Sequence, residues 1–163
     1  MKRINVTHDE IKLIGIKVRT SNKAEFNPST AKIGATIERY FINQIAGKVA
    51  DRKNPGTTIC LYMEYESDMD GEYSYFIGEE VTSYDNLPEG LNTHTIPSQT
   101  YVKFTTQSGV MPNVVINAWQ QIWQMSASDL GGIRSYRADF EIYDTRSKDP
   151  NNTIVDIYIG IKS

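Results

Sequence analysis

Hydrophobic and polar positions follow the same order twice along this chain. Two strand-like, tyrosine-rich runs at residues 59–65 and 73–78 have a later counterpart at residues 139–143 and 157–160. Each pair follows a stretch in which apolar residues recur at helical spacing, and each such stretch follows a shorter strand-like run. The pattern predicts a strand–helix–strand–strand unit that is present in two copies.

Apolar stripes and chain breakers define the two predicted helices. The first stripe begins after Pro28 and stops at the breakers of residues 51–56, and the second stops at residues 128–132. The stripes consist of Ile33, Ile37, Tyr40, Phe41, Ile45 and Val49, and of Val115, Ile116, Trp119, Ile122 and Trp123. With the short strands at residues 11–18 and 100–105, they predict an α+β fold of duplicated βαββ halves, with the helices on one face of an antiparallel sheet.

Residues 84–90 separate the two copies. This segment is loop-like in composition and too short to act as a free linker, so the halves are expected to pack together. At 163 residues the chain has the size of one domain. We predict a single ligand-binding domain over residues 1–163, with one half at about 1–83 and the other at about 91–163.

Composition narrows the class of protein. A hydrophobic content of 39% and a charged content of 23% are typical of a soluble globular chain. No apolar run approaches the roughly 20 residues that cross a bilayer, and the N-terminus lacks an apolar stretch of signal-peptide length. Cys60 is the single cysteine, so no intramolecular disulfide can form. We expect a cytoplasmic protein that does not enter a membrane.

Charge and motifs argue against several further functions. The formal net charge is −3, and Lys and Arg are scattered, which argues against direct nucleic-acid binding. His8 and His94 are isolated from other metal-ligating residues, so no metal site is expected. The chain has no nucleophile-elbow, Walker or glycine-rich dinucleotide motif. We therefore expect no cofactor and assign no catalytic residue.

Strand alternation points to a candidate site in the last hairpin. Phe140 and Ile142 point to one face, and Glu141 and Tyr143 to the other. The aliphatic residues of the final strand share a face opposite Tyr158: Val155, Ile157, Ile159 and Ile161. If the aliphatic set packs on the helices, Glu141, Tyr143 and Tyr158 share the remaining face. A carboxylate beside aromatic rings suits a cationic, partly apolar ligand, because each ring face adds roughly 0.5–2 kcal/mol; the alternative is an ordinary solvated sheet face.

Other aromatic residues extend the list of candidates. Trp119 and Trp123 lie four positions apart and share one helix face, where they are either core residues or ligand contacts. The first hairpin is also rich in tyrosine, at Tyr62, Tyr65, Tyr73 and Tyr75. A groove that is lined from both halves would use such amphipathic rings, and Tyr65 is included among the predicted ligand contacts.

The same residues resemble a known family. Residues 140–144 followed by 155–162 resemble the C-terminal signature of gyrase-inhibitor-like (GyrI-like) ligand-binding domains. Further matches follow in order over nearly the whole chain, at residues 75–81, 87–91, 96–104 and 119–123. The family includes effector-binding domains of AraC-type and MerR-type transcription activators, and a free-standing integron-cassette protein that binds cationic drugs. This chain looks most similar to the free-standing kind, since no DNA-binding module is recognised in it.

The resemblance implies a structure and site residues. It implies that the halves are related by a pseudo-twofold axis and hold the ligand between them. The acidic pocket residue of the family falls on Glu141, and aromatic pocket positions fall on Trp119, Tyr143 and Tyr158. Met63 takes the position that is pseudo-symmetric to Glu141, so the halves would not contribute equivalent charge.

The function expected from the residues and the resemblance is small-molecule binding. The ligand is expected to be a cationic amphipathic compound, and the protein would act as a sensor or a sequestering protein, with a separate regulatory protein or as a homodimer. Two alternatives stay open. Glu141 and a tyrosine could hydrolyse electrophilic small molecules, as some relatives do, or the protein could inhibit a protein partner in the manner of a gyrase modulator.

Overall fold

The computed structural model describes residues 1–162, which form one antiparallel sheet with helices on one face. The strands are β1 (Lys2–His8), β2 (Ile11–Ser21), β3 (Thr58–Met63), β4 (Glu72–Glu80), β5 (Asn92–Ile96), β6 (Gln99–Thr105), β7 (Arg134–Tyr143) and β8 (Asp156–Ile161). The helices are α1 (Asn22–Glu25), α2 (Ile33–Ile42), α3 (Ile45–Lys48), α4 (Asn113–Trp123) and α5 (Ala127–Leu130), and a short 3-10 helix spans Thr145–Ser147. Within the described residues, no helix is both long and apolar enough to cross a membrane.

The order of strands in the sheet has the predicted pseudo-twofold symmetry. The order is β1-β6-β8-β7-β3-β4-β2-β5. Exchanging β1 with β5, β2 with β6, β3 with β7 and β4 with β8 gives the same order read backwards. The pseudo-twofold axis therefore passes between the central strands β3 and β7, and the predicted α+β fold with duplicated halves is confirmed.

Two strands were missing from the predicted βαββ units. β1 pairs with β6, and β5 pairs with β2, so each repeat sends its first strand to the edge of the other half. β1 lies at an exposed edge, and most of its side chains face solvent, including Ile4. A strand of this kind has little hydrophobic alternation, which is why the pattern along the chain does not reveal it.

The helical stripes form helices at the predicted places, with one interruption. The first stripe is split into α2 and α3 at Asn43 and Gln44, where Gln44 adopts a left-handed φ of 50°. Tyr40 and Ile45 are buried on either side of this break, whereas Phe41 points to solvent. The second stripe forms the single helix α4, as predicted.

Side chains of the sheet alternate between two apolar layers. Cys60 and Tyr75 pack beneath α2, and Ile157 packs beneath α4. Cys60 pairs directly with Glu141 across the central strands, and Glu141 pairs with Ile157, so both helices cover the same face. The opposite face carries a second buried cluster that includes Leu61.

The register between β7 and β8 corrects one prediction. Phe140 lies opposite Tyr158, and Glu141 lies opposite Ile157. Because opposed residues of antiparallel strands point to the same face, Glu141 and Tyr143 face the helices. Tyr158 faces the other way and stacks on Phe140, with ring centroids 4.5 Å apart. The prediction that Tyr158 shares a face with Glu141 is wrong, and Glu141, at 2% exposure, does not lie on a solvated face.

Met63 is also not the counterpart of Glu141. It pairs with Ala138 and is buried in the layer opposite the helices. The helix-facing positions of β3 are held by Thr58, Cys60 and Tyr62, which carry no formal charge at neutral pH. The two central strands therefore still differ in charge on the face that the helices cover. The uncharged β3 residues on that face are not Met63, as predicted, but the residues just named.

Candidate functional site

A cavity of about 580 Å³ lies between α2 and α4, above the middle of the sheet. Its walls come from both helices, through residues such as Ile33, Ile37, Val115 and Trp119, and its floor comes from β3, β4 and β7. We call it the interhelical cavity. Its volume falls in the range that encloses a drug-sized molecule. It lies between the two pseudo-symmetric halves, as the sequence resemblance implied.

Glu141 is the charged residue at the floor of this cavity. Three uncharged side chains donate hydrogen bonds to its carboxylate. Tyr62 Oη and Trp119 Nε1 donate to Oε2 at 2.8 and 2.6 Å, and Tyr143 Oη donates to Oε1 at 2.7 Å. Among the described residues, no Lys or Arg forms an ion pair with Glu141. The carboxylate is therefore oriented by dipoles and has no counter-cation there.

Sheet pairing and the position of α4 bring these donors together. The register that sets Cys60 opposite Glu141 places Tyr62, two residues further along β3, on the same face. Tyr143 lies two residues after Glu141 on the same strand, so it also faces the helices. Trp119 reaches the carboxylate from the buried face of α4. Tyr62 and Glu141 are far apart in the sequence, and only the central strand pair makes them neighbours.

Burial dominates the acid–base properties of this group. Burial raises the pKa of the Glu141 carboxyl above its ordinary value, and the hydrogen bonds from Tyr143, Trp119 and Tyr62 partly oppose that rise. Burial, followed by the charge of Glu141, raises the pKa of the Tyr62 and Tyr143 hydroxyls well above the ordinary value. Both tyrosines therefore stay protonated at physiological pH and act as donors.

Aromatic rings form much of the cavity lining. Tyr62 contacts Trp119 with ring centroids 5.0 Å apart, and it contacts Tyr73 and Tyr75 at 5.6 and 5.3 Å. Trp123 lies 6.3 Å from Trp119, towards the exposed ring of Phe26. All of these residues line the cavity. A cation inside it would meet ring faces as well as the Glu141 carboxylate.

Two further charged residues line the cavity, and both have partners. Glu25 accepts hydrogen bonds from the backbone N–H groups of Lys32 and Ile33 at 2.8 and 3.1 Å, which satisfies donors at the start of α2. Arg134 forms an ion pair with Asp139 at 2.7 Å. Among the described residues, the charge of Arg134 is thus balanced by Asp139, whereas Glu141 on the floor and Glu25 in the wall have neutral donors as partners.

The structure brings together most, but not all, of the predicted site residues. Glu141, Tyr143, Trp119, Trp123 and Tyr65 line the cavity, whereas Tyr158 does not. Trp119 is buried in the core, as one interpretation expected, and its indole N–H also donates to Glu141. Its contact with a ligand stays a prediction.

Sequence reasoning missed several residues of the site. Tyr62, Tyr73 and Tyr75 were noted as part of a tyrosine-rich hairpin but were not assigned to the pocket, and Glu25 and Phe26 carried no recognisable signal. Strand alternation puts Tyr73 and Tyr75 on one face of β4, and this signal could have found them. Among residues 1–162, no three His, Cys, Asp or Glu side chains are grouped to hold a metal ion.

The sequence of the chain matches a known family over most of its length. The family model described as integron-associated effector binding protein matches residues 5–161. This chain belongs to that family. The match confirms the family that the sequence motifs indicated and makes effector binding the function of the domain at the coarse level.

Three similar proteins are informative. The integron cassette protein VCH_CASS2 of Vibrio cholerae is 33% identical, and the match covers 98% of this chain and 95% of that chain with a TM-score of 0.78. YobU of Bacillus subtilis (strain 168) is 28% identical over 159 residues, with 97% of each chain covered. The structure of SAV2435 bound to tetraphenylphosphonium shares the fold, at 19% identity and a TM-score of 0.77, with 100% and 95% coverage.

Proposed function

We propose that this effector-binding protein binds lipophilic organic cations in the interhelical cavity, with Glu141 as the counter-charge, and senses or sequesters them without altering them chemically. The observation that carries the proposal is the buried Glu141 carboxylate, which has three neutral donors and no cationic partner among the described residues. Removing an ion from water costs several kcal/mol, and a cation that enters the cavity offsets part of that cost.

The shape and chemistry of the cavity support the same class of ligand. Tyr62, Tyr73 and Trp119 offer ring faces, which attract cations and also bury apolar groups. A small hydrated ion would gain little from such walls, whereas an organic cation with aromatic or aliphatic groups gains from both. SAV2435, which has the same fold, was solved with tetraphenylphosphonium, a lipophilic cation, and so the fold is compatible with such ligands.

The proposal is tested by removing the charge of Glu141 while its shape is kept. In Glu141→Gln, the amide oxygen can take the Oε2 position, where Tyr62 and Trp119 donate. The amide N–H₂ then takes the Oε1 position and donates to the Tyr143 hydroxyl, which can also accept. A charge-assisted contact is worth about 1.5–3 kcal/mol, so the affinity for tetraphenylphosphonium should fall about tenfold or more.

The measurement is isothermal titration calorimetry with tetraphenylphosphonium and with its neutral isostere, tetraphenylmethane carrying a solubilising group. The matched control is Glu79→Gln. Glu79 is 1% exposed and accepts hydrogen bonds from Tyr40 and Thr58, but it does not line the cavity. The control should bind the cation as the wild type does. Equal affinities of wild type and Glu141→Gln for the cation would refute the proposal.

A further inference from the structure

Arg134 occupies an unusual position in the interhelical cavity. Its side chain is 8% exposed, yet it forms part of the cavity lining. The Nη2 atom donates to Asp139 Oδ2 at 2.7 Å. This is the single hydrogen bond found for the guanidinium among residues 1–162, and the buried Nε–H has no acceptor there. A guanidinium carries five N–H donors, so most of its capacity is unused by the protein.

The surrounding residues hold this guanidinium in place. Its Cζ atom lies 4.3 Å from the centroid of the Tyr136 ring, which stacks on it. Tyr136 adopts a left-handed φ of 51°, inside an irregularity where β7 changes its register against β8. Such irregularities commonly redirect a side chain. Tyr65 Oη donates to the same Asp139 oxygen that Arg134 binds, and this completes a rigid support.

The register of the sheet sets the spacing between Arg134 and Glu141. Asp139 pairs with Ile159 and Glu141 pairs with Ile157, so the two acidic residues lie two positions apart on one face. Two residues of a strand span about 7 Å. The guanidinium is held against Asp139 and lines the same cavity as Glu141, so a donor group lies on the floor beside the proposed cation position.

We propose that Arg134 is a specificity-determining residue, which donates a hydrogen bond to the bound ligand, so that the cavity selects organic cations that also carry a neutral hydrogen-bond acceptor. Asp139 already balances the charge of Arg134, so a carbonyl or ether oxygen suits this position better than a carboxylate, which would also face Glu141. The inference rests on the proposed cation site at Glu141 and adds the second recognition point.

A pair of isosteric probes tests this inference. The first is para-acetylbenzyltrimethylammonium, whose carbonyl oxygen lies across the ring from the cation, and the second replaces acetyl with isopropenyl, which has the same shape and no acceptor. The wild type should bind the acetyl compound about tenfold or more tightly in calorimetric titrations, as expected for a hydrogen bond to a charged donor. Equal affinities for the two probes would overturn the inference.

The double variant Arg134→Met with Asp139→Asn removes both charges of the pair. The amide oxygen that this change introduces can still accept from Gly160 N–H, as the Asp139 carboxylate does at 2.7 Å, and the amide N–H₂ can donate to Tyr65 Oη. The ratio of affinities should fall to about one, with the isopropenyl compound bound within about threefold of wild type. A ratio that stays near tenfold in this variant would also contradict the role of Arg134.

Two controls separate this inference from the proposed function. Arg146→Met with Asp144→Asn removes an ion pair outside the cavity, at 2.9 Å, together with the pair that Arg146 forms with Asp156, and should keep the wild-type ratio. Glu141→Gln should weaken both probes together and leave their ratio unchanged. If Glu141→Gln weakens neither, the cation site fails, while the ratio of acetyl to isopropenyl still decides the role of Arg134.

Discussion

Removing the hydroxyl of Tyr143 tests the hydrogen bonding that prepares the cavity for a cation. Tyr143 is the donor to Glu141 Oε1, at 2.7 Å, whereas Oε2 receives two donors. Tyr143→Phe keeps the ring and leaves Oε1 without its donor inside a cavity where burial already raises the pKa of this carboxyl. We expect a loss of stability that depends on the charge of Glu141.

The size of the loss follows from the type of bond. A hydrogen bond to a charged group contributes about 1.5–3 kcal/mol and one between neutral groups about 1 kcal/mol. Tyr143→Phe should therefore lower the free energy of unfolding by about 2 kcal/mol in the wild type, and by about 1 kcal/mol in the Glu141→Gln background. For a chain of this length, a loss of 2 kcal/mol lowers the melting temperature by about 4–8 °C.

The assay is a double-mutant cycle measured by urea unfolding at pH 8. Wild type, Tyr143→Phe, Glu141→Gln and the double variant should show a coupling energy of about 1 kcal/mol. Tyr40→Phe is the matched control, because Tyr40 donates to Glu79 and its effect should add to that of Glu141→Gln within about 0.5 kcal/mol. An equal cost of Tyr143→Phe in both backgrounds would show that the Tyr143 hydroxyl makes no charge-assisted hydrogen bond to Glu141.

Two further predictions concern the same carboxylate. Because burial raises the folded-state pKa of Glu141 above its ordinary 4.5, the wild type loses stability as the pH rises from the unfolded pKa through the folded pKa. Glu141→Gln lacks this loss. The free energy of unfolding of Glu141→Gln minus that of the wild type, measured by urea unfolding, should therefore be larger at pH 8 than at pH 4. An identical difference at both pH values would be inconsistent with the burial argument. We also expect no multiple turnovers when the protein is incubated with ester and strained-ring compounds and the products are analysed by mass spectrometry. The reason is that neutral donors already occupy both oxygens of Glu141. Turnovers that vanish in Glu141→Gln and Tyr143→Phe would establish the hydrolase alternative.

Local patterns in the sequence were sufficient for the helices of the two apolar stripes, the inner strands and the repeat, but not for the short helices α1 and α5. The stripe containing Val115, Trp119 and Ile122 forms α4 as predicted, because helical periodicity depends on residues three to four positions apart. The same holds for the two hairpins. β1 could not be recognised in this way, because its side chains are mostly exposed and its pairing partner, β6, belongs to the other half.

The sequence also singled out Glu141 together with Trp119 and Tyr143, but for a partly wrong reason and without Tyr62. Alternation divides β7 and β8 into two faces each, and it does not say which face of one strand matches which face of the other. The loop between them, residues 144–155, is long enough to allow either register. Grouping the aliphatic residues of both strands together therefore placed Tyr158 beside Glu141, whereas the observed register sets Phe140 opposite Tyr158.

By itself, the sequence determined the duplicated α+β architecture, the amphipathic helices and the presence of a carboxylate among aromatic rings, because these follow from periodicity and residue type over short distances. The tertiary structure decided that Glu141 is buried, that Tyr62 and Trp119 bind it, and that Arg134 shares its cavity. These contacts depend on the pairing of β3 with β7 and on the packing of α4 across the sheet. Both join distant parts of the chain, whose relative position no local pattern records.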